Sequence, residues 1–545
     1  MYCFQCQETA KNQGCTQGGV CGKSPDTAVL QDLLIYLLKG LSFWAVKARA
    51  LGAGEKGTDI FTAKALFMTL TNVNFDAGRI EEAIHEAIKR RETLKEACTG
   101  KVANPPEAAL WKPEGGRESL LKKGETVGVL STNHEDIRSL KELLVYGLKG
   151  IAAYTDHAYI LGAENPEILY FLQEALAATL RNDIGADELV GLVLKAGNKA
   201  VEAMALLDKG NTGKYGNPEI TEVFTGTYEG PAILVSGHDL LDFEEILEQT
   251  KGTGIKVYTH GEMLPAHAYP AFKKYPHLAG NYGSSWHNQQ KEFPEFDGAI
   301  VMTTNCIQKP LDNYKDRIFT TGLVGWPGVA HIGDRPKGGR KDFSAVIAKA
   351  KGLKGLKAKE GKKIPIGFAH NTVLSLAGTI IEKIKEGKIK RFIVMAGCDG
   401  RHKSREYFTE VASKLPEGTL ILTAGCAKYR YNMLDLGTID GIPRVLDAGQ
   451  CNDSYSWAVV ALKLAEAVGA AHPNDLPLSF DIGWYEQKAV AVLLALLSLG
   501  IKGIRLGPTL PAFLSPNVIK VLVEKFDIKP IDTPEKDIAS MMAGH

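Results

Sequence analysis

RFIVMAGCDG (391–400), GTLILTAGCAK (418–428) and RVLDAGQCND (444–453) repeat one design. In each, an apolar run with strand character breaks at a glycine, and a cysteine follows at or near the break: Cys398, Cys426 and Cys451. These cysteines are 28 and 25 residues apart, the length of a strand-plus-helix unit. Segments of helical character follow each one: HKSREYFTEVASKL, AKYRYNMLDL and NDSYSWAVVALKLAEAV. Strands joined in this way lie parallel and end on one edge of a sheet, where ligands bind. Three thiols distant in sequence should therefore converge. A single buried cysteine is ordinarily a small core residue, but core packing gives no reason to repeat the same strand-end placement. Convergent soft ligands point to a metal–sulfur centre.

The same logic runs through an earlier stretch. AILVSGHDL, GIKVYTHGEML, FDGAIVMTTNCI and DRIFTTGLVG are short β-type runs after a turn-rich boundary at 214–231. His238 follows VSG, His260 and Glu262 follow KVYT, and Cys306 follows VMTTN. One such histidine alone reads as a surface or capping residue; the shared placement marks His238, Glu262 and Cys306 as a candidate set. The Lys- and Gly-rich segment 335–363 is mostly solvated charge and marks the next boundary. A third unit opens with IPIGFAH, continues through the three cysteine runs, and ends in GWYEQKAVAVLLALLSLGIKGIRLGPTL. Glu486 and Lys488 stand at the start of its apolar helix, where charged residues are also ordinary first-turn residues.

The first residues read MYCFQCQETAKNQGCTQGGVCGKS, placing Cys3, Cys6, Cys15 and Cys21 in C-x2-C-x8-C-x5-C. Four thiols with glycines between them suit a loop that wraps an iron–sulfur cluster and aims backbone N–H groups at its sulfur. A structural zinc site is the rival, although paired C-x2-C hooks are its commoner pattern. From Pro25 to about Leu207, helical periodicity dominates. Asp76 and Asn165-Pro166 read as helix starts, residues 102–116 as a connection between two bundles, and residues 123–132 stay open between strand and helix. His85, His134 and His157 fall in helical patterns and read as polar or core residues. Cys98, without a cysteine neighbour, reads as a plain thiol. The expected fold class is multidomain α and α/β. Helical bundles in 1–220 should precede two Rossmann-like α/β domains with mainly parallel sheets, 221–360 and 361–545.

At 545 residues the chain is long enough for several cores. A formal net charge of +1 gives no sign of nucleic-acid binding or of an anionic membrane partner. The longest unbroken apolar run, from Ala489, is too short to span a bilayer. An odd number of cysteines, nine, with no secretion signal before Cys3 argues against a disulfide framework and for a cytoplasmic protein. GxGxxG after a strand and the Walker A pattern are both missing, so NAD or ATP binding is not assigned from the α/β units.

The motifs GHDL, HGEMLPAH, TTNC, AGCDG, AGCAKYRYN, GQCND and WYEQK, in this order, resemble the hybrid cluster protein family, also called prismane proteins, over essentially the whole chain. The resemblance implies a [4Fe–4S] cluster on Cys3, Cys6, Cys15 and Cys21, as in the branch found in anaerobes. It implies a hybrid [4Fe–2S–2O] cluster on His238, Glu262, Cys306, Cys398, Cys426, Cys451 and Glu486, with a persulfide at Cys398. It also implies a fold like that of nickel carbon monoxide dehydrogenases, and reduction of hydroxylamine or nitric oxide. Mixed thiolate, imidazole and carboxylate ligation suits oxygen bridges and open iron positions. Glu486, Lys488 and His260 are the candidate proton donors. The expected partners are a small inorganic nitrogen substrate and an electron-donor protein, with the chain a monomer. Alternatives are an electron carrier or redox sensor without turnover, including a trans-nitrosylating protein, and a carbon monoxide dehydrogenase.

Overall fold

The computed structural model describes residues 1–544. Its helical part consists of α1 (Pro25–Ala50), α2 (Lys56–Met68), α3 (Ala77–Ala97), α4 (Arg117–Val127), α5 (Glu135–Ile160), α6 (Pro166–Ala178) and α7 (Ala186–Tyr215). The starts follow local chemistry. Ser24 accepts the Thr27 N–H ahead of Pro25, Asp76 accepts those of Gly78 and Arg79, and Asn165 that of Glu167. His134 caps α5. Residues 123–132 make no strand: they finish α4 and form a single tight turn, Val129–Ser131. Gly124 explains this, because a Cβ there would lie 2.6 Å from the Val29 carbonyl oxygen. The segment is pressed against α1 and has no sheet edge beside it.

α1 has the length and hydropathy of a membrane span, but two-thirds of its most apolar stretch (67%) is buried inside the protein. Its leucines, with Leu144 and Leu148 of α5, belong to one apolar core that the helices on both sides of the 102–116 connection share. That core continues into the second sheet below.

The first sheet comprises β1 (Ala232–Ser236), β2 (Lys256–His260), β3 (Leu278–Asn281), β4 (Ala299–Met302), β5 (Ile318–Thr321) and β6 (Ala330–Ile332). All pairs are parallel, in the order β3-β2-β1-β4-β5-β6. The second sheet comprises β7 (Arg391–Val394), β8 (Thr419–Thr423), β9 (Val445–Asp447), β10 (Leu478–Gly483), β11 (Ile504–Gly507) and β12 (Lys529–Pro530). It is again parallel, ordered β9-β8-β7-β10-β11-β12. Each sheet thus grows one way from its first strand and then reverses between its first and fourth. In such sheets the loops at the reversal part and leave a crevice. Helices cover these sheets, so the strands read as continuous apolar runs, not as alternation.

Two details refine the expectation. IPIGFAH opens the third unit without entering its sheet: Lys363–Ile366 pairs antiparallel with Thr221–Phe224 in a separate two-stranded ribbon. Pro365 has no N–H to give a central ladder, and an edge position tolerates it. Conversely, β10 is a central strand that the sequence reading passed over.

Candidate metal centre

Seven strand ends deliver the predicted ligands to one place. β1 is followed by His238, β2 by Glu262, β4 by Cys306, β7 by Cys398, β8 by Cys426, β9 by Cys451 and β10 by Glu486. All seven side chains line a single cavity, shared with Trp286, Asn305 and Tyr485. Backbone contact brings the cysteine-bearing turns together. Gly397 and Gly425 have φ of 105° and 83°, a region open to glycine. A Cβ on Gly397 would lie 2.1 Å from the Gly483 oxygen, and one on Gly425 2.4 Å from the Gly397 oxygen. The Gly397 N–H donates to Ala424 O (2.9 Å), Gly425 to Gly449 O (3.0 Å) and Cys398 to Gly483 O (2.7 Å).

Nitrogen and oxygen ligands are oriented from behind. His238 Nδ1 lies 2.8 Å from Thr304 Oγ1, which turns Nε2 toward Glu262 Oε2 (3.3 Å), Cys451 Sγ (3.8 Å) and Lys488 Nζ (3.0 Å). Ligand atoms of His238, Glu262 and Cys451 fall within 4.8 Å of one another. Glu262 Oε2 accepts the Cys451 N–H at 2.8 Å, whereas Oε1 is buried with no hydrogen-bond partner among the described residues. Glu486 Oε2 accepts the Lys488 N–H at 2.7 Å and so caps the apolar helix α8 (Gln487–Ser498). Its Oε1 lies 3.4 Å from Asn305 Nδ2, which also reaches Cys306 Sγ at 3.3 Å. Lys488 Nζ donates to Asn305 Oδ1 at 2.9 Å.

The electrostatics call for a cation. Burial pushes the Cys398 thiol up to about 12, and drives Cys306, Cys426 and Cys451 upward as well. Burial raises Glu486 too. Burial alone would also raise Glu262, yet its hydrogen bond with His238 and the charges of His238, Lys428 and Lys488 hold it at about 2. Two buried and two partly buried thiols beside two buried carboxylates form an anionic ligand set, and metal binding would deprotonate the thiols and satisfy Glu262 Oε1.

Of the candidates outside the cavity lining, Lys488 stands directly behind His238 and Asn305, whereas His260 is turned away from it. It ends β2 fully buried, Nδ1 against Ser236 Oγ (3.0 Å) and Nε2 against Glu292 Oε2 (3.1 Å), with its ring edge-on to Phe293. The side chain is committed to the packing between strand and helix.

The N-terminal cysteines form a second site. Cys3 and Cys15 exchange backbone hydrogen bonds, the Ala10 N–H points at Cys15 Sγ (3.4 Å), and all four cysteines line one small cavity. Residues 16–18 and Val20 are exposed, so this site lies at the surface. Cys6 packs with Trp286, Tyr485 and Cys426, and the Gln7 N–H donates to Tyr485 O at 2.9 Å. Trp286 and Tyr485, with ring centroids 4.4 Å apart, therefore stand between the two cysteine sites.

Arg405 was not legible as a site residue. It is fully buried and forms no direct ion pair with a carboxylate among the described residues, donating instead to Cys398 O (3.0 Å), Trp484 O (2.6 Å) and Gln7 Oε1 (3.0 Å). Asp399 and Glu8 act on it only from beyond hydrogen-bond range, and a buried guanidinium is costly without close counter-charge. Anionic thiolate–metal groups on both sides would add that counter-charge, so the residues fit iron–sulfur clusters. A larger, mostly apolar cavity between Ala377–Lys385 and Ser454–Val468 also reaches Cys398 and Cys451.

The sequence pattern of the Prismane/CO dehydrogenase family matches residues 1–539. Over the full length of both chains, the protein is 65% identical to the hydroxylamine reductase of Kosmotoga olearia, and 62% and 59% identical to those of Thermosipho melanesiensis and Nitratidesulfovibrio vulgaris. Among solved structures, carbon monoxide dehydrogenase IV from Carboxydothermus hydrogenoformans superposes with a TM-score of 0.56 at 15% identity, over 99% of this chain and 92% of that one. That likeness concerns the fold, with its helical part and parallel-sheet α/β domains. By its full-length match and by these relatives, the chain belongs to the Prismane/CO dehydrogenase family.

Proposed function

We propose that this protein is a cytoplasmic, monomeric iron–sulfur enzyme that reduces hydroxylamine to ammonia and water, with two electrons and two protons consumed per N–O bond broken. The observation that carries the reading is the mixed ligand set. His238, Glu262 and Glu486 share one buried cavity with four cysteines, a donor set unlike the all-thiolate shell of a simple electron carrier. In this reading Cys3, Cys6, Cys15 and Cys21 hold a [4Fe–4S] cluster. His238, Glu262, Cys306, Cys398, Cys426, Cys451 and Glu486 hold the hybrid [4Fe–2S–2O] cluster, with a persulfide at Cys398. When bound, the hybrid cluster would supply electrons and a Lewis-acidic iron position for a small N–O substrate.

The protein's own residues do the rest. Lys488 Nζ, 3.0 Å from His238 Nε2 and 2.9 Å from Asn305 Oδ1, is held where it can give a proton to the leaving oxygen. An electron-donor protein delivers electrons at the surface-exposed N-terminal site, and Trp286 and Tyr485 bridge inward to the cavity cysteines. The test is an anaerobic assay with a reduced viologen and hydroxylamine, following viologen oxidation and ammonia together. Absence of turnover by iron-replete protein would leave the electron-carrier or redox-sensor reading. Reduction of nitric oxide to nitrous oxide is the second reading. The apolar cavity at Cys398 and Cys451 supports it, since such a lining suits an uncharged diatomic molecule; nitrous oxide detection by the same protein tests it.

A further inference from the structure

His157 read from the sequence as an ordinary helical histidine, and its surroundings make it something else. It is buried on α5, and neither Nδ1 nor Nε2 has a hydrogen-bond partner among the described residues. One face of its ring is stacked toward His238 with centroids 6.0 Å apart, and an edge contact with Phe67 (5.3 Å) fixes its orientation. A small cavity lies here, with the polar groups of His157, Asn211, His238, Asp239 and Gln450 set among Leu161, Leu207 and Leu240. Asn211, on α7, is 2% exposed, and its side-chain amide makes no hydrogen bond among the described residues. The other polar walls are already engaged. His238 Nδ1 meets Thr304, Gln450 Nε2 donates to His238 O and Glu262 O, and Asp239 Oδ1 caps the helix that follows it.

Buried polar side chains without partners are few in native proteins, and each calls for an explanation. Here the unpartnered groups, an imidazole and an amide, border one chamber whose opposite wall is a cluster ligand. A neutral imidazole offers one donor and one acceptor, and the Asn211 amide offers both. Such a lining complements a small uncharged molecule that both donates and accepts hydrogen bonds. Hydroxylamine has this character; nitric oxide has no hydrogen to donate.

We infer that the chamber between His157 and His238 is a holding site for neutral hydroxylamine on a polar route to the cavity, separate from the apolar cavity at Cys398 and Cys451. The inference rests on the hydroxylamine reading above, and two measurements keep the two apart. First, His157→Phe keeps the ring contacts with Phe67 and His238 but removes both nitrogens, and Asn211→Leu removes the amide alone. Either variant of the holoenzyme should raise KM for hydroxylamine about tenfold, the loss of one or two hydrogen bonds to substrate. Iron content and EPR signals should stay as in the wild type. Second, crystals of the oxidised wild-type holoenzyme soaked in hydroxylamine should show a two-atom molecule in the chamber at atomic resolution, lost in His157→Phe. An unchanged KM in both variants would overturn the inference, as would separate water peaks alone in the soaked wild type. If wild-type protein does not turn over hydroxylamine at all, the functional reading fails, while the soak still tests the chamber.

Discussion

Glu486→Gln replaces one carboxylate oxygen with an amide nitrogen in a side chain that is 3% exposed. Its two oxygens have different duties. Oε2 accepts the Lys488 N–H at 2.7 Å and caps α8, while Oε1 faces Asn305 Nδ2 at 3.4 Å and Lys488 Nζ at 3.8 Å. Glutamine has one oxygen, so it can keep the cap or face Asn305 and the cavity, but not both. Losing the cap would cost roughly 0.5–2 kcal/mol. The helix start should nevertheless stay in place. Neighbouring Gln487 is anchored independently, accepting the Thr71 N–H at 2.8 Å and donating to Gln5 O at 2.6 Å. The variant is therefore expected to fold. If Glu486 only caps a helix, iron content, EPR spectra and turnover should match the wild type. If it is a ligand, the neutral amide is a weaker donor. The hybrid-cluster signal should then change, and hydroxylamine turnover should fall by ~10–100-fold, the scale for lost support at a metal site. Iron analysis, EPR and the viologen assay on one preparation decide between these. Unchanged spectra with unchanged turnover would refute the ligand role.

Lys488→Met should keep the cluster signals while slowing turnover by roughly 10²–10⁴-fold if Lys488 is the main proton donor; equal rates would move that role elsewhere. Cys426→Ser should lose the hybrid cluster and keep the N-terminal one, seen as a partial fall in iron with the [4Fe–4S] signal retained; equal loss of both would mean that the sites do not assemble independently. Arg405→Leu removes the buried cation between the two sites, so both clusters should become harder to reduce, by on the order of tens of millivolts in an EPR-monitored titration, with Arg405→Lys recovering part of the shift. Iron loading of the apoprotein should weaken as pH falls from about 8 to about 6. The cavity thiols, with Cys398 at about 12, hold their protons until metal displaces them, and each proton released carries up to ~tenfold per pH unit. Loading indifferent to pH would contradict the thiol environment described here.

Much of the site was legible because its ligands obey one local rule: an apolar strand, a break, then a ligand. Cys398, Cys426, Cys451, His238, Glu262 and Cys306 all follow it. Glu486 follows it too, but β10 hid the fact. LSFDIG places Ser479 and Asp481 among apolar residues, which blurs a buried central strand, and both polar residues are in fact buried. His260 satisfied the rule and still failed to reach the cavity, because Ser236 and Glu292 hold its ring within the packing. Arg405 and His157 carried no signal: in HKSREYF and YTDHAYI they look like a solvated charge and a routine helical histidine. Their roles arise from what distant elements place beside them, which periodicity and spacing do not encode.

Reduction of an N–O bond at the proposed mixed-ligand iron–sulfur site is tested most directly by purifying the protein without oxygen, counting iron and nickel, and then measuring ammonia formed against reduced viologen consumed. The expected result is an iron-rich, nickel-free protein that forms ammonia from hydroxylamine with two electrons used per ammonia. Iron-replete protein that is reduced by viologen but makes no ammonia would contradict it, as would stoichiometric nickel in the cavity.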